Sequence, residues 1–316
     1  MKDFAGKIAV VTCGGSGMGR ELARQLVVLG CDAAMCDVFP EGMAESKRLC
    51  LSQARQGTRV ATFPADVSIE DQVLAFAEAV RRDLETDHIH LLFNNAGIGG
   101  GGVFIDGDRA EWEKTFGVCW YGVYYCTRAF LPLLRSADEG HIVNTSSVNG
   151  FWATLGPNRS HTAYSAAKFA VKGFTEALIT DLSLHAPHIK CSVVMPGHIG
   201  TDIPTNSRRV LKGSETAIDV SATRKLFARQ GVDVASYSDE QIRARVLELD
   251  ERFREAAPTT AAEAAAIILD GVKAEKWRIL VGKDAEFLDE RVRAAPEAAY
   301  SPEFFEAFRK GGGWRI

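Results

Sequence analysis

The sequence predicts an α/β fold whose core is a doubly wound, seven-stranded parallel sheet with helices on both faces. Short apolar segments rich in β-branched residues alternate with longer amphipathic stretches through the first two thirds of the 316-residue chain. The short segments are largely apolar, without strict alternation of apolar and polar residues, which is typical of strands covered on both faces. Alternation of strand and helix favours parallel pairing, because a helix then carries the chain back between successive strands.

Six predicted strands follow one another, and a seventh comes after a long interval: residues 7–13, 32–37, 59–64, 90–95, 141–146, 190–195 and 277–281. Amphipathic helical patterns occupy residues 20–29, 69–84, 112–134, 163–185 and 261–273. The predicted order of these elements is the one that a doubly wound sheet requires.

The chain is predicted to be one domain, residues 1–316, with two additions. The first is an insertion at residues 203–257, after the sixth strand, which we expect to form a substrate lid over the carboxyl edge of the sheet. Its second half has helical spacing, and Ser238 with Gln241 has the pattern of a capping box. The second addition is a C-terminal tail, residues 283–316, which we expect either to wrap around a neighbouring subunit or to fray.

Composition and charge argue against several classes of protein. Hydrophobic residues make up 46% and charged residues 25% of the chain, as in ordinary globular proteins, and the net charge is −4. This weak negative charge gives no attraction to nucleic acid or to an anionic membrane. No segment approaches the ~18 apolar residues of a membrane-spanning helix, and the N-terminus lacks the pattern of a signal peptide. A soluble, cytoplasmic protein is predicted.

The cysteines and histidines show no pattern of metal ligation. The seven cysteines form no CxxC pair and mostly lie inside apolar segments, which favours buried, reduced thiols over disulfides. The seven histidines also lack the spacing of metal ligands. No metal site is predicted.

A glycine-rich turn after the first strand is the first candidate for ligand binding. It contains Gly14, Ser16, Gly17, Met18 and Gly19, and a helical pattern follows directly. Glycines there let the backbone approach a pyrophosphate, whose charge then meets the amides at the helix N-terminus. Such a turn is weak evidence by itself, because any corner between a strand and a helix can use glycine. Its place after the first strand strengthens the prediction.

Asp37 supplies the second part of a dinucleotide site. It ends the second predicted strand, eighteen residues after Gly19. A carboxylate at this position accepts hydrogen bonds from the adenosine ribose hydroxyls and repels a 2′-phosphate. Residues 14–16 and 38–39 contain no Arg or Lys that could clamp such a phosphate. The sequence therefore favours NAD over NADP; the alternative is an aspartate that only caps a turn.

Three further residues form a candidate catalytic group. Tyr164 and Lys168 are spaced i and i+4 near the start of a predicted helix, so their side chains share a face. A nearby ammonium group favours the phenolate and should lower the pKa of the tyrosine. Ser147 follows the fifth strand, at the edge where doubly wound sheets bind ligands. Taken singly, these features could be a helix surface pair and a turn.

Together, these motifs resemble those of the short-chain dehydrogenase/reductase family, whose fold is a Rossmann-type sheet. The resemblance covers residues 4–203 and 258–282, and six motifs occur in the family's order. It implies that Ser147, Tyr164 and Lys168 are catalytic, with Tyr164 and Lys168 also contacting the cofactor. The other positions that match cofactor-contacting motifs are Asp66, Val67, Asn95, Ala96, Gly97, Pro196, Gly197, Ile199 and Thr201.

The resemblance implies hydride transfer between NAD and a secondary alcohol or ketone. Tyr164 would take the hydroxyl proton as a phenolate, Ser147 would hold the same oxygen, and Lys168 would hold the nicotinamide ribose. The substrate is expected to be hydrophobic, and the candidate residues of its pocket are Phe104, Asn149, Phe151, Trp152 and His198. The family also implies a homo-oligomer, a dimer or tetramer, formed through the long helices predicted at residues 112–134 and 163–185.

Two positions and one spacing depart from the family pattern. Cys13 replaces the first glycine of the turn, so this position must accommodate a β-carbon. Cys119 replaces an asparagine whose main-chain carbonyl holds a water in the family, and a distorted helix would preserve that carbonyl's role. Ser147 and Tyr164 are seventeen residues apart, which implies a longer loop between them.

Two other functions stay open at this point. One is a non-catalytic dinucleotide-binding regulator or scaffold, which the loss of the asparagine at position 119 favours. The other is different chemistry on the same fold, such as enoyl reduction or sugar epimerisation. The intact Ser147, Tyr164 and Lys168 favour alcohol oxidation over both.

Overall fold

The computed structural model describes residues 1–157, 159–229, 231–311 and 314 of the chain. Within these residues the strands are β1 (Ile8–Thr12), β2 (Asp32–Asp37), β3 (Val60–Pro64), β4 (Leu91–Asn94), β5 (Gly140–Thr145), β6 (Ile189–Pro196), β7 (Ile199–Gly200), β8 (Thr259–Thr260) and β9 (Arg278–Val281). Seven of them form one parallel sheet in the order β3-β2-β1-β4-β5-β6-β9. The predicted Rossmann-type fold is confirmed, and each main strand lies within one or two residues of its predicted bounds.

The helices of the described residues are α1 (Gly17–Val28), α2 (Pro40–Gln53), α3 (Glu70–Asp83), α4 (Arg109–Phe116), α5 (Gly122–Arg135), α6 (Thr162–His185), α7 (Ile203–Lys212), α8 (Val220–Arg229), α9 (Asp239–Glu255), α10 (Ala261–Lys273), α11 (Lys283–Ala294) and α12 (Pro302–Gly311). Short 3₁₀ turns occupy Val148–Gly150 and Pro296–Ala298. The helix predicted at residues 112–134 is not a regular α-helix throughout. A π-helical turn, Gly117–Tyr121, separates α4 from α5.

Two hydrophobic cores cover the two faces of the sheet. Neighbouring residues of a strand point to opposite faces, so Val10 belongs to one core and Val11 to the other. The core around Val10 is closed by side chains of α3 and α5, including Phe130, and the core around Val11 by those of α1 and α10, including Leu26 and Ile268. Burial on both faces explains why the strand sequences are largely apolar.

The insertion at residues 203–257 forms three helices, α7 to α9. Its ends are held together because β7, just before it, pairs with β8, just after it. The capping box predicted at Ser238 and Gln241 is present at the start of α9. The helix α7, which local patterning did not predict, begins with Pro204 in its first turn and ends at Gly213 in a left-handed conformation.

The C-terminal segment differs from the expectation that it would fray or embrace a neighbour. Helices α11 and α12 pack back onto their own chain around Trp152, whose indole Nε1 donates to the carbonyl oxygen of Ala299 at 2.7 Å. Burial of Phe304 and Phe308 against this tryptophan stabilises the packing. Residues 312, 313, 315 and 316 of the predicted tail lie outside the described residues.

Among the helices described, none combines the length and the apolar character that crossing a bilayer requires.

Candidate active site

The carboxyl ends of the strands open into a cleft where the strand order reverses between β1 and β4. Most of the predicted cofactor residues line this cleft: Ser16, Gly17, Met18, Asp37, Asp66, Val67, Asn95, Ala96, Gly97 and Thr201. Residues separated by as many as 185 positions therefore meet at one edge of the sheet, because parallel strands all end on the same side.

Four other predicted cofactor residues shape the backbone around the cleft without lining it: Gly14, Gly19, Pro196 and Gly197. A β-carbon on Gly19 would lie 2.0 Å from the carbonyl oxygen of Cys13, and one on Gly197 would lie 2.2 Å from a carboxylate oxygen of Asp284. The remaining one, Ile199, is buried in β7. The glycines at positions 19 and 197 are thus required by close packing.

The glycine-rich turn presents the N-terminus of α1 to the cleft. Ser16 is the N-cap residue, but its side chain makes no capping hydrogen bond in the described structure. The first amides of a helix have no partner within the helix, so those of Gly17 and Met18 can meet an anion. Gly17 has φ +51°, a left-handed conformation that suits glycine.

Cys13 accommodates its β-carbon in an unusual backbone conformation. Its φ is +57°, in the left-handed region that most residues with a side chain avoid. Its side chain lines the cleft and is half-buried, whereas the other six cysteines are buried. The turn therefore keeps the shape that a glycine would give it, at the cost of local strain.

Asp37 is held at the end of β2 by two backbone amides. The N–H of Gly15 donates to Oδ2 at 2.9 Å, and the N–H of Phe39 donates to Oδ1 at 3.1 Å. The carboxylate is buried yet lines the cleft. Each of its oxygens has a remaining lone pair, so it can also accept hydrogen bonds from a diol.

Asp66 lies farther along the same side of the cleft and is paired. Its carboxylate accepts from Lys114 and from the hydroxyl of Ser68, the latter at 2.6 Å. Burial alone would raise the pKa of Asp66, but these hydrogen bonds outweigh burial and lower it. The carboxylate is thus ionised and fixed in orientation.

The three predicted catalytic residues lie close together beside the cleft, behind Gly97 of its lining. Ser147 ends the segment after β5, and its Oγ accepts from the backbone N–H of Asn149 at 3.1 Å. Lys168 is 1% exposed, and its Nζ donates to the carbonyl oxygen of Thr145 at 2.8 Å. The same Nζ lies 5.4 Å from the centre of the Tyr164 ring. The i, i+4 spacing therefore brings the ammonium and the phenol together as predicted.

Electrostatics at Tyr164 differ from the sequence-based expectation. Burial raises the pKa of Tyr164 above its ordinary value, Cys119 raises it further, and interaction with Ser147 lowers it. Burial also lowers the pKa of Lys168. The expected lowering of the Tyr164 pKa is therefore not observed in the protein alone, because desolvation disfavours the phenolate.

The absence of a side chain at Gly97 leaves room for the Lys168 side chain. A β-carbon at this position would lie 3.3 Å from Lys168 Nζ and 3.8 Å from the sulfur of Cys119. The neighbouring Asn95 and Ala96 are fixed because both of their backbone N–H groups donate to Thr12 Oγ1 at 2.9 Å. The segment after β4 thus connects the glycine-rich turn to Lys168.

Cys119 lies in the middle of the π-helical turn, Gly117–Tyr121. The resemblance to the family implies a distorted helix here, if the main-chain carbonyl at position 119 is to hold a water. The π-helical turn is such a distortion. Burial raises the pKa of the Cys119 thiol, so the group stays neutral.

The candidate substrate residues do not converge on the cleft. Trp152 is 1% exposed and belongs to the core under α12, and Asn149 Nδ2 donates to the carbonyl oxygens of Trp152 and Thr154. Phe151 packs beside the same core and under the guanidinium group of Arg278. The two aromatic side chains pack against the C-terminal segment and Asn149 holds the loop after β5, which corrects the expectation for all three.

His198 and Phe104 have different surroundings. His198 is buried, its ring centre lies 4.3 Å from that of Phe253, and its Nε2 lies 2.7 Å from the carbonyl oxygen of Phe253. It therefore connects the turn after β6 to α9. Phe104 is 73% exposed on a loop beside Trp112.

His161 packs against the candidate acid and base: its ring centre lies 4.7 Å from that of Tyr164, and burial lowers its pKa to about 4. Sequence reasoning missed three residues that line the cleft. In the insertion at residues 203–257, Ile203, Asn206 and Val210 line the cleft. Their spacing of three and four residues, together with Pro204, could have indicated one face of a helix.

The chain is similar in sequence to a family of known proteins and to individual members of it. A family model described as short chain dehydrogenase matches residues 7–211. SadH of Mycobacterium tuberculosis, named as an oxidoreductase, is 35% identical over 289 residues, which cover 92% of this chain and 91% of that protein. Levodione reductase of Leifsonia aquatica is 31% identical over 229 residues, which cover 70% of this chain and 82% of that protein.

Similarity in structure extends over nearly the whole chain. A short chain dehydrogenase/reductase from Burkholderia phymatum, solved in complex with NAD, is 30% identical, with a TM-score of 0.73. The aligned residues cover 94% of this chain and 95% of that one.

Proposed function

The chain belongs to the short-chain dehydrogenase/reductase family, and on this premise we propose that it transfers hydride between NAD and a hydrophobic secondary alcohol or ketone. The observation that carries the proposal is the convergence of Ser147, Tyr164 and Lys168 beside Gly97, which lines the same cleft as Asp37. A dinucleotide beside a reacting alcohol suits this arrangement, in which a carboxylate and uncapped helix amides line the cleft and a proton-transfer group lies next to it.

NAD is the proposed cofactor. Asp37 would hold the adenosine ribose, the amides of Gly17 and Met18 the pyrophosphate, and Tyr164 with Lys168 the nicotinamide ribose. The carboxylate of Asp37 supports NAD over NADP, since it would face a 2′-phosphate. The Burkholderia phymatum relative solved with NAD supports the same choice.

Tyr164 is the proposed acid and base. In oxidation its phenolate oxygen takes the proton of the substrate hydroxyl, while Ser147 Oγ donates a hydrogen bond to the same oxygen and fixes its position. NAD, when bound, accepts the hydride and adds the positive charge of its nicotinamide ring to the site. Because burial raises the pKa of Tyr164, its phenolate depends on positive charge nearby, and Lys168 is the residue that supplies it.

The mouth of the site supports a hydrophobic substrate. The loop beside Trp112 exposes Phe104 and Ile105, which are 73% and 89% exposed. His161, held neutral by burial, packs on the ring of Tyr164 and adds an aromatic wall without charge. An apolar approach with few polar groups is typical of pockets that bind hydrophobic molecules.

A homo-oligomer, either a dimer or a tetramer, is also proposed. Tyr121 and Phe169 are 44% and 43% exposed, next to α5 and on α6, and apolar side chains at this level of exposure suit contact with a second copy. Sedimentation equilibrium measures the mass of the assembly directly. A monomer at micromolar concentration would contradict this part of the proposal.

The decisive experiment is a substrate panel with purified protein. Formation of NADH is followed with NAD and a series of secondary alcohols, with primary alcohols as comparisons. Consumption of NADH is followed with the matching ketones and with an enoyl thioester, and epimerisation of a nucleotide sugar is followed by analysis of the product. Turnover confined to secondary alcohols and the matching ketones is expected. Tight NAD binding without turnover of any compound would instead favour the regulator or scaffold.

A further inference from the structure

The end of the cleft near Asp37 is also bordered by a cation from the lid. The guanidinium group of Arg209, in α7, lies 4.0 Å above the ring of Phe39, and it forms an ion pair with the carboxylate of Glu41. Phe39 lines the cleft, and its backbone N–H donates to Asp37. Arg209 therefore reaches across the cleft to the segment that follows β2.

Helix α7 is attached to both sides of the cleft, so the position of Arg209 is well defined. Asn206 Nδ2 donates to the hydroxyl of Ser16 at 3.1 Å, in the glycine-rich turn. Ser207 Oγ accepts from the backbone N–H of Gly99 at 2.8 Å, in the segment after β4. These two contacts hold the helix that carries Arg209 over the cleft.

The two arginines near this end of the cleft, Arg20 and Arg209, have different kinds of partner. Arg20 is the other cation nearby, and it is occupied by the carbonyl oxygen of Gly15 and by Ser46 Oγ, the latter at 2.8 Å. Arg209 is the cation paired with an acid, and that acid, Glu41, is 59% exposed. A hydrogen bond from its own backbone amide and the pair with Arg209 lower the pKa of Glu41, so the carboxylate is ionised.

We propose that Glu41 is a second residue that excludes NADP, and that it acts by occupying Arg209, which would otherwise bind a 2′-phosphate. The inference rests on the proposed binding of NAD, because it assigns the adenosine ribose to Asp37. Guanidinium groups bind phosphate through two parallel hydrogen bonds, so Arg209 has the chemistry of a phosphate ligand. Selectivity then has two components: repulsion by Asp37 and occupation of the Arg209 guanidinium group by Glu41.

The ion pair of Arg209 and Glu41 is partly exposed to solvent, which limits how much it can change the affinity for NADP. Solvent and salt screen charges at such positions, so removal of Glu41 should tighten NADP binding about 5-fold at low ionic strength and less at high salt. The NAD dissociation constant should change less than about 2-fold, since NAD places no phosphate beside Arg209. A larger gain in NADP affinity is expected when Asp37 is also replaced, because the carboxylate then no longer repels the 2′-phosphate.

The test compares dissociation constants for NAD and NADP by calorimetry, with no substrate present. The variants are Glu41→Gln, Asp37→Asn, the double variant, and the double variant with Arg209→Met. Glu45→Gln is the matched control, because Glu45 lies one helical turn further in α2, is paired with Arg48, and contributes the same change in net charge. Circular dichroism of each variant verifies folding.

The expected pattern is tighter NADP binding in Glu41→Gln, still tighter binding in the double variant, and loss of that gain when Arg209→Met is added. Equal effects of Glu41→Gln and Glu45→Gln would overturn the inference, as would an unchanged NADP affinity on adding Arg209→Met. Failure of the wild-type protein to bind NAD would overturn the proposed cofactor as well. Binding of NAD without activity on any alcohol would leave this inference standing and remove only the proposed reaction.

Discussion

The thiol of Cys119 donates to the carbonyl oxygen of Ile98 at 3.3 Å, from the middle of a π-helical turn. A π-helical turn widens a helix locally and frees backbone carbonyl groups from their usual partners, and such turns occur frequently at functional sites. The turn lies next to Lys168, because a β-carbon on Gly97 would touch both the lysine and the cysteine. The structure therefore contains, at position 119, the helix distortion that the resemblance to the family implies.

Replacement of Cys119 tests whether only its backbone matters. Cys119→Ala should fold and lose about 10-fold in turnover or less, because the buried, neutral thiol is a weak donor. Cys119→Asn restores the family's residue and should leave turnover equal or higher. The measurement is kcat with NAD, together with the NAD dissociation constant. A collapse of kcat in both variants with normal NAD binding would show that the thiol itself is required.

Tyr164→Phe tests the proposed acid and base. The substitution keeps the ring that packs on His161 and removes only the hydroxyl, so kcat should fall at least ~10²-fold with nearly unchanged NAD affinity. Tyr124→Phe is the matched control, since the ring of Tyr124, in α5, packs against Trp120 of the π-helical turn and lies outside the proposed catalytic group. Retained turnover in Tyr164→Phe would require another proton carrier.

Cys13→Gly should stabilise the protein. The left-handed backbone at Cys13 costs a residue with a side chain about 1 kcal/mol or more, and glycine avoids this strain. The gain should exceed the loss of the small side chain and raise the free energy of unfolding by about 0.5–1 kcal/mol. Urea denaturation measures it, and Glu85→Gly, at an exposed position with φ +44°, provides a comparison at a distant site. A lower stability of Cys13→Gly would mean that the cysteine's contacts outweigh its strain.

Stability should fall in mild acid because of His141. Its ring is 1% exposed, its Nε2 lies 2.7 Å from Ser192 Oγ, and burial lowers its pKa to about 4. The unfolded chain takes up this proton near pH ~6.5 and the folded chain only near the lowered pKa. Its contribution is therefore fully present above pH ~6.5 and is lost as the pH falls toward 4, by about 2 kcal/mol at pH ~5.

The comparison of His141→Asn with the wild type isolates this contribution. The difference in unfolding free energy between pH ~7.5 and pH ~5 should shrink by about 2 kcal/mol in the variant. His185→Asn, at a position whose side chain is 74% exposed, is the matched surface variant. An unaltered difference in His141→Asn would show that other groups control acid sensitivity.

Local patterns were sufficient for much of the fold and of the site. Apolar segments of strand length predicted all seven strands of the main sheet, and their alternation with helices predicted that the strands are parallel. The i, i+4 spacing of Tyr164 and Lys168, and the position of Asp37 at a strand end, need only local geometry. These features depend on residues close together in the chain, where periodicity carries the information.

Contacts between distant segments were beyond such patterns. The expectation for Trp152 was wrong because its partners, Ala299 and Phe308, are about 150 residues away, and an aromatic residue in a loop suits a pocket as well as a core. The pKa of Tyr164 was misjudged for a similar reason: the ammonium is visible in the sequence, but the burial that opposes it is not.

The sequence by itself determined the order of elements, the parallel sheet and the residue types at its carboxyl edge, because these follow from short-range periodicity and from motifs within single turns. The tertiary structure alone decided that α7 lies over the cleft with Arg209 beside Glu41, that the C-terminal helices cover Trp152, and that Cys13 adopts a left-handed backbone. Each of these depends on the packing of segments far apart in the chain. Burial and close approach, which set charge pairing and pKa, exist only once those segments have met.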